Sequence, residues 1–184
     1  MSFNFIKTKI DGVYIIEPKV FKDERGYFYE SFNEKEFKER IADINFVQDN
    51  QSLSSYGVLR GMHCQTGKFT QAKLVRVVKG AVLDVILDAR YGSTHKIYTA
   101  YLSEENHRQL FVPRGFLHGF LTLRDNTVFQ YKCDNFYNKE SELGFNPYSI
   151  GFKWGDYIDG QDIILSEKDA NSPCYIYINK INFE

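Results

Sequence analysis

KLVRVVKGAVLDVILDAR, residues 73–90, is the stretch that decides the fold. It reads as two Val-rich strands around a Lys79-Gly80 turn. The pattern continues down the chain. RQLFVPRGFLHGFLTL (108–123) is strand, Pro-Arg-Gly turn, strand, and TVFQYKCDNFY (127–137) is a further strand. Dense short strands punctuated by Gly and Pro predict an all-β protein, an antiparallel β-sandwich of jelly-roll type. Helices are few. Asn33 can cap NEKEFKERI, with Glu34 and Glu36 in the first turn and Lys38 and Arg40 near the end, and this short charged helix is expected to be solvated. LSEKDANSP (165–173) reads as a short helical turn or loop.

Composition sets the outer limits. At 184 residues, 43% apolar and 26% charged, the chain suits one soluble globular domain over 1–184. A net charge of −1 gives no reason to expect attraction to nucleic acid or to a membrane surface. No apolar run is long enough to span a bilayer, and MSFNFIKTKIDG lacks the apolar core of a signal peptide, so a cytoplasmic location is expected. The 3 cysteines are scattered without a CxxC pair, which argues for free thiols rather than a disulfide framework or zinc site. Aromatic residues reach 16%, which fits a β-rich core and also fits a site that stacks a ring.

Chemistry centres on GVLRGMHCQ (57–65) and PRGFLHG (113–119), where His63 and His118 each follow an Arg-Gly turn and a short apolar step at a strand boundary. His95 and His107 lie in polar stretches and are expected to be exposed. A metal-binding jelly roll places two histidines at i and i+2, so that both face one ion. Here His63 is followed by Cys64-Gln65 and His118 by Gly-Phe-Leu, which predicts no metal site and leaves proton chemistry for the imidazoles. A histidine base needs a carboxylate to fix its tautomer, and Asp84, Asp88 and Asp169 are the candidates. Proton removal beside a carbonyl also needs a cation where enolate charge gathers. Lys73 is either that cation or a charged gatekeeper on an edge strand. Arg60 and His63 are three residues apart, which changes parity in a regular strand, so Gly61 must bend or bulge the segment to bring both to one cavity.

These segments resemble, in order, those of the dTDP-4-dehydrorhamnose 3,5-epimerase family, cofactor-free members of the cupin superfamily: DERGYFYE, FVQDNQS, GVLRGMHCQ, QAKLVRVVKGAVLDV, VPRGFLHGF, QYKCDNFY and LSEKD. The resemblance implies a cupin-type jelly roll and epimerisation at the two carbons flanking the ketone of a nucleotide-linked 4-keto-6-deoxyhexose. It implies no nicotinamide, in keeping with the lack of a GxGxxG fingerprint. By motif it makes His63 the base, Asp169 its partner, Lys73 the enolate stabiliser and Tyr131 the acid on the opposite face. It places Arg25 and Arg60 at the diphosphate, His118 by the sugar or diphosphate, and Gln48, Asn50 and Glu30 on the nucleotide side. Tyr137 corresponds to a base-stacking tyrosine, and Glu142 and Lys168 to further substrate contacts. It also implies a homodimer with a swapped N-terminal segment, in which Arg25, Phe28 and Glu30 come from the partner subunit. Where the family has HYQ this chain has HCQ, and Cys64 is expected to point into packing rather than the cavity. ELGFNPYSIGFKW (142–154) carries an Asn-Pro like that of relatives that epimerise a single carbon, which keeps a mono-epimerase, or one acting on a GDP- or CDP-linked sugar, as the alternative.

Overall fold

The computed structural model describes residues 2–160, 162–176 and 181–183. Thirteen strands run in chain order as β1 (Phe3–Lys7), β2 (Tyr14–Pro18), β3 (Phe21–Asp23), β4 (Gly26–Phe28), β5 (Gln48–Ser54), β6 (Leu59–Gln65), β7 (Lys73–Lys79), β8 (Ala81–Asp88), β9 (Ile97–Ser103), β10 (Gln109–Val112), β11 (Phe116–Thr122), β12 (Thr127–Cys133) and β13 (Glu142–Gly144). Two α-helices join them, α1 (Glu34–Arg40) and α2 (Glu167–Ala170). One sheet has the order β1-β2-β10-β7-β12-β5, the other β13-β6-β11-β8-β9, and β3-β4 forms a separate hairpin. All pairings between these strands are antiparallel, giving the expected cupin-like jelly-roll sandwich.

The opening stretch supplies both layers. β7 and β8 flank Gly80, which takes φ +82, but they do not pair with each other. β7 lies between β10 and β12, and β8 between β11 and β9, so the turn is a corner between sheets. Alternate residues of both strands meet between the layers, where Val75 and Val77 pack with Val82, Ile86, Phe120 and Phe129. All eight positions of β8 are buried because its other face packs Leu83, Val85 and Leu87 against Leu117, Leu121 and Trp154.

α1 closes the outer face of the larger sheet. The Asn33 side chain accepts from the Glu36 amide, as the capping pattern requires. The helix is not solvated all round: Phe37 is fully buried against Phe3, Ile16, Leu74 and Phe111. Such burial contributes about 1.5–3 kcal/mol, which outweighs the exposed charges in fixing the helix. β12 stops at Cys133, four residues short of the expected end, and Asp134–Tyr137 is irregular. His107 is buried rather than exposed, its ring tilted against those of Tyr27 and Tyr29, and His95 is half-buried with its Nδ1 2.7 Å from the Tyr175 hydroxyl. Both histidines find aromatic partners distant in sequence, which local polarity cannot reveal. No helix among the described residues is long and apolar enough to cross a membrane.

Candidate active site

His63 and His118 sit inside strands, not at their boundaries, and are directly paired across β6 and β11. The next pair is Arg60 with Phe120, so three steps on β6 oppose two on β11. This is the predicted bulge, centred on Gly61 at φ +121. A Cβ on Gly61 would lie 2.5 Å from the Gly119 Cα and 2.8 Å from the His118 carbonyl oxygen. Glycine at both 61 and 119 therefore lets the strands approach while Arg60 and His63 both reach one cavity.

That cavity, of roughly 530 Å³, is lined by Asn50, Arg60, His63, Lys73, His118, Tyr131, Lys168 and Asp169. A smaller one of roughly 140 Å³ shares Asn50, His63, Lys73 and Tyr131 with it and adds Gln48, Tyr137 and Glu142. The expected residues thus gather at one continuous site, with three exceptions. Arg25 and Phe28 lie on the exposed β3–β4 hairpin, Arg25 is paired with Asp23, and Phe28 is 68% exposed. Glu30 follows the hairpin, where Asn33 donates to its carboxylate, and it lines neither cavity.

Asp169 is the carboxylate that reaches His63. The His63 Nε2–H donates to its Oδ1 over 2.6 Å, while Oδ2 accepts from the Gly61 amide at 3.4 Å. One buried carboxylate therefore holds both the imidazole and the bulge. α2 presents Asp169, and the Ser166 hydroxyl accepts from its amide as the N-cap. Burial pushes the Asp169 carboxyl up, but the His63 hydrogen bond and charge, with the Gly61 amide and Ser166, outweigh it and hold the carboxyl below its ordinary range. The other two candidate carboxylates are engaged elsewhere: Asp84 lies 2.9 Å from His118 Nε2, and Asp88 pairs with Arg90. On β13, Gly144 pairs with His63, and a Cβ there would press to 3.2 Å on the imidazole Cδ2.

Tyr131 lies across from Asn50 on β5 and beside Val75 on β7. Burial pushes its phenol up to about 12, and the weaker pull of Arg60 does not reverse this. The Tyr131 phenol therefore keeps its proton at neutral pH. The Lys73 ammonium lies 5.8 Å from its ring centroid. β7 is an interior strand and Lys73 faces the cavity, so the edge-gatekeeper reading of Lys73 falls.

On the other flank, the Tyr137 hydroxyl donates to Glu142 at 3.0 Å and Lys168 meets the same carboxylate oxygen at 2.6 Å. Burial opposes ionisation of Glu142, but these two hydrogen bonds and the charges of Lys168 and His63 leave the carboxyl below its usual range. Cys64 points into the apolar cluster of Leu59, Met62 and Leu83, and burial pushes its thiol up to about 12. Sequence reading passed over Ser54, whose hydroxyl accepts from Arg60 Nε at 3.1 Å, and Ser52 on the cavity wall. The signal was present: Gln48, Asn50, Ser52 and Ser54 alternate along β5 and share one face. Among the described residues no three His, Cys, Asp or Glu side chains converge as metal ligands.

Known proteins share this fold and much of this sequence. The family model described as dTDP-4-dehydrorhamnose 3,5-epimerase matches residues 7–175. The dTDP-4-dehydrorhamnose 3,5-epimerase of Methanothermobacter thermautotrophicus is 49% identical over 92% of this chain and 93% of its own. The crystal structure of the enzyme of that name from Elizabethkingia anophelis NUHP1 superposes with a TM-score of 0.89 at 50% identity, covering 98% of this chain and 100% of that one. A dTDP-6-deoxy-D-glucose-3,5-epimerase from Legionella pneumophila Philadelphia 1, solved in complex with dTDP-4-keto-L-rhamnose, is 44% identical with a TM-score of 0.87, covering 94% of this chain and 92% of that one. With fold and sequence in agreement over nearly its whole length, the chain belongs to the dTDP-4-dehydrorhamnose 3,5-epimerase family of isomerases.

Proposed function

We propose that the protein inverts C3 and C5 of dTDP-4-dehydro-6-deoxy-D-glucose to give dTDP-4-dehydro-L-rhamnose, by removing and returning protons beside the 4-keto group. The observation that carries this reading is the 2.6 Å His63–Asp169 pair in one cavity with Lys73 and Tyr131. Asp169 accepts Nε2–H, which leaves the other ring nitrogen of His63 as the base. The ketone acidifies the carbon-bound proton, and His63 takes it. The Lys73 ammonium stabilises the enolate oxygen, a role that a low-dielectric site strengthens. Tyr131 then gives its phenolic proton to the opposite face, and the protons on His63 and Tyr131 re-equilibrate with solvent before the second carbon reacts. Bonds and protons balance without a hydride acceptor, so the reading includes no cofactor.

Arg60, fixed by Ser54, suits the diphosphate, because a planar guanidinium meets two oxygens at once. His118 lies on the cavity wall near it, and Gln48, Asn50, Glu142 and Lys168 serve the nucleotide side with Tyr137 beneath the base. The reading includes a homodimer in which Arg25, Phe28 and Glu30 complete the partner's site. The hairpin supports it: Phe21, Tyr27 and Phe28 are 53%, 57% and 68% exposed, a patch that a second copy would cover. It also includes a cytoplasmic, reducing setting, consistent with the free thiols of Cys64 and Cys133.

The test is deuterium incorporation from heavy water, read by NMR at each carbon, with dTDP-, GDP- and CDP-linked 4-keto-6-deoxy sugars side by side. Exchange at both C3 and C5 of the dTDP sugar alone is expected. Exchange at one carbon, or preference for another nucleotide, replaces the reading with the mono-epimerase or alternative-nucleotide one.

A further inference from the structure

Tyr137 stands on a segment that should be loose. β12 ends at Cys133, and the chain from Asp134 to Asn138 has no ladder of its own. Phe136 and Tyr137 are 62% and 51% exposed. Yet glutamines from three separate parts of the fold grip its backbone. Gln48, at the start of β5, accepts from the Tyr137 amide at 3.0 Å. Gln65, at the end of β6, accepts from the Asn138 amide at 3.0 Å. Gln71, just before β7, donates to the Asn135 carbonyl at 2.8 Å. The phenol end is fixed independently by Glu142.

A buried amide side chain is stable only when hydrogen-bonded. Gln65 is 5% exposed, and its carbonyl is given to a loop amide that water could otherwise satisfy. Three such bonds on one short segment fix its backbone conformation before any ligand arrives. The beneficiary is the one ring of that segment that faces the cavity shared with His63, Lys73 and Tyr131.

We propose that Gln65 and Gln71 are positioning residues for ligand recognition: they pre-set Tyr137 as a rigid platform for the planar base of a nucleoside diphosphate. This rests on the reading of Tyr137 as the base platform. Preorganisation of this kind raises affinity by removing an ordering cost at binding.

The experiment is calorimetric titration of the full-length protein with dTDP, alongside proton exchange at saturating substrate. Gln65→Met keeps side-chain volume and removes the acceptor. It is expected to weaken dTDP binding by roughly 5–30-fold, as for one lost buried hydrogen bond, with the saturated exchange rate within about twofold of wild type. Gln71→Met, acting on Asn135 from the other side, should do the same and serves if the first variant folds poorly. In a Tyr137→Ala background neither substitution should weaken binding further. Unchanged dTDP affinity in both glutamine variants, with Tyr137→Ala weakened, overturns the proposal alone. So does an equal loss with and without Tyr137, since the two glutamines, which line the same cavity as Tyr137, would then meet the ligand themselves. If Tyr137→Ala itself binds dTDP normally, the platform reading fails and the proposal with it.

Discussion

Replacing Gly61 by alanine tests the architecture on which the site depends. The added Cβ would meet the Gly119 Cα at 2.5 Å, the His118 carbonyl oxygen at 2.8 Å and the Gly119 nitrogen at 3.3 Å. All three are backbone atoms, so no side chain can swing aside. Ordinary carbon contacts lie near 3.5–4.0 Å, and β6 and β11 must part by about 1 Å. Gly61 also sits at φ +121, where an L-residue costs about 1–3 kcal/mol. Overpacking adds about 1–3 kcal/mol. The sum, about 2–6 kcal/mol, corresponds to a melting temperature lower by roughly 4–24 °C for a domain of this size. The same displacement separates His63 from His118 across the two strands, and a 1 Å error of that kind costs on the order of 100-fold in rate. Thermal melting and C3/C5 proton exchange read the two effects. Gly155→Ala, where an added Cβ meets nothing within 4 Å, is the control and should melt within a degree or two of wild type. A Gly61→Ala protein that melts and exchanges like the control would refute the argument.

Three further outcomes follow from the site. His63→Ala should abolish proton exchange at both carbons while dTDP still binds, as checked by NMR and calorimetry; near-normal exchange removes His63 as the base. Tyr131→Phe should leave exchange measurable and cut formation of the inverted product, and an unchanged product profile removes Tyr131 as the acid. Asp169→Asn keeps the side-chain shape but loses the charge that fixes the His63 tautomer, so exchange should fall by roughly 10³–10⁴-fold. Because the folded carboxyl is held below its ordinary 3.8, its stabilising effect is present above that pH and fades as pH falls through the lowered value. Urea midpoints of wild type and Asp169→Asn should therefore converge in acid, and a gap that widens below pH 4 contradicts the assignment.

Strand content and the jelly roll were legible in the alternation and turn residues around Gly80, Pro113 and Gly115. The turn at Gly80 could not reveal that it joins two sheets, because turn chemistry is local and sheet membership is set by distant pairing. The need for a bulge at Gly61 was readable from parity alone, and the register shift between His118 and Phe120 bears it out. The partner of His63 was not readable from spacing. Asp84, Asp88 and Asp169 are chemically alike, and only the packing of α2 against β6 brings the last within 2.6 Å. The burial of His107 is hidden for the same reason: it packs against Tyr27 and Tyr29, which lie far upstream in the chain. The rise of the Tyr131 phenol reflects desolvation, which outweighs nearby cations and has no signature in sequence.

The aspartate that meets His63 lies 106 residues beyond it, on the four-residue helix α2. Synthesis runs from the N-terminus, so strands β1 to β13 are all made before Asp169 is added. A growing polypeptide therefore holds the His63 imidazole without its carboxylate partner until residue 169 has been joined. A chain cut just before Asp169 would keep every strand from β1 to β13 and lose the carboxylate that holds the imidazole.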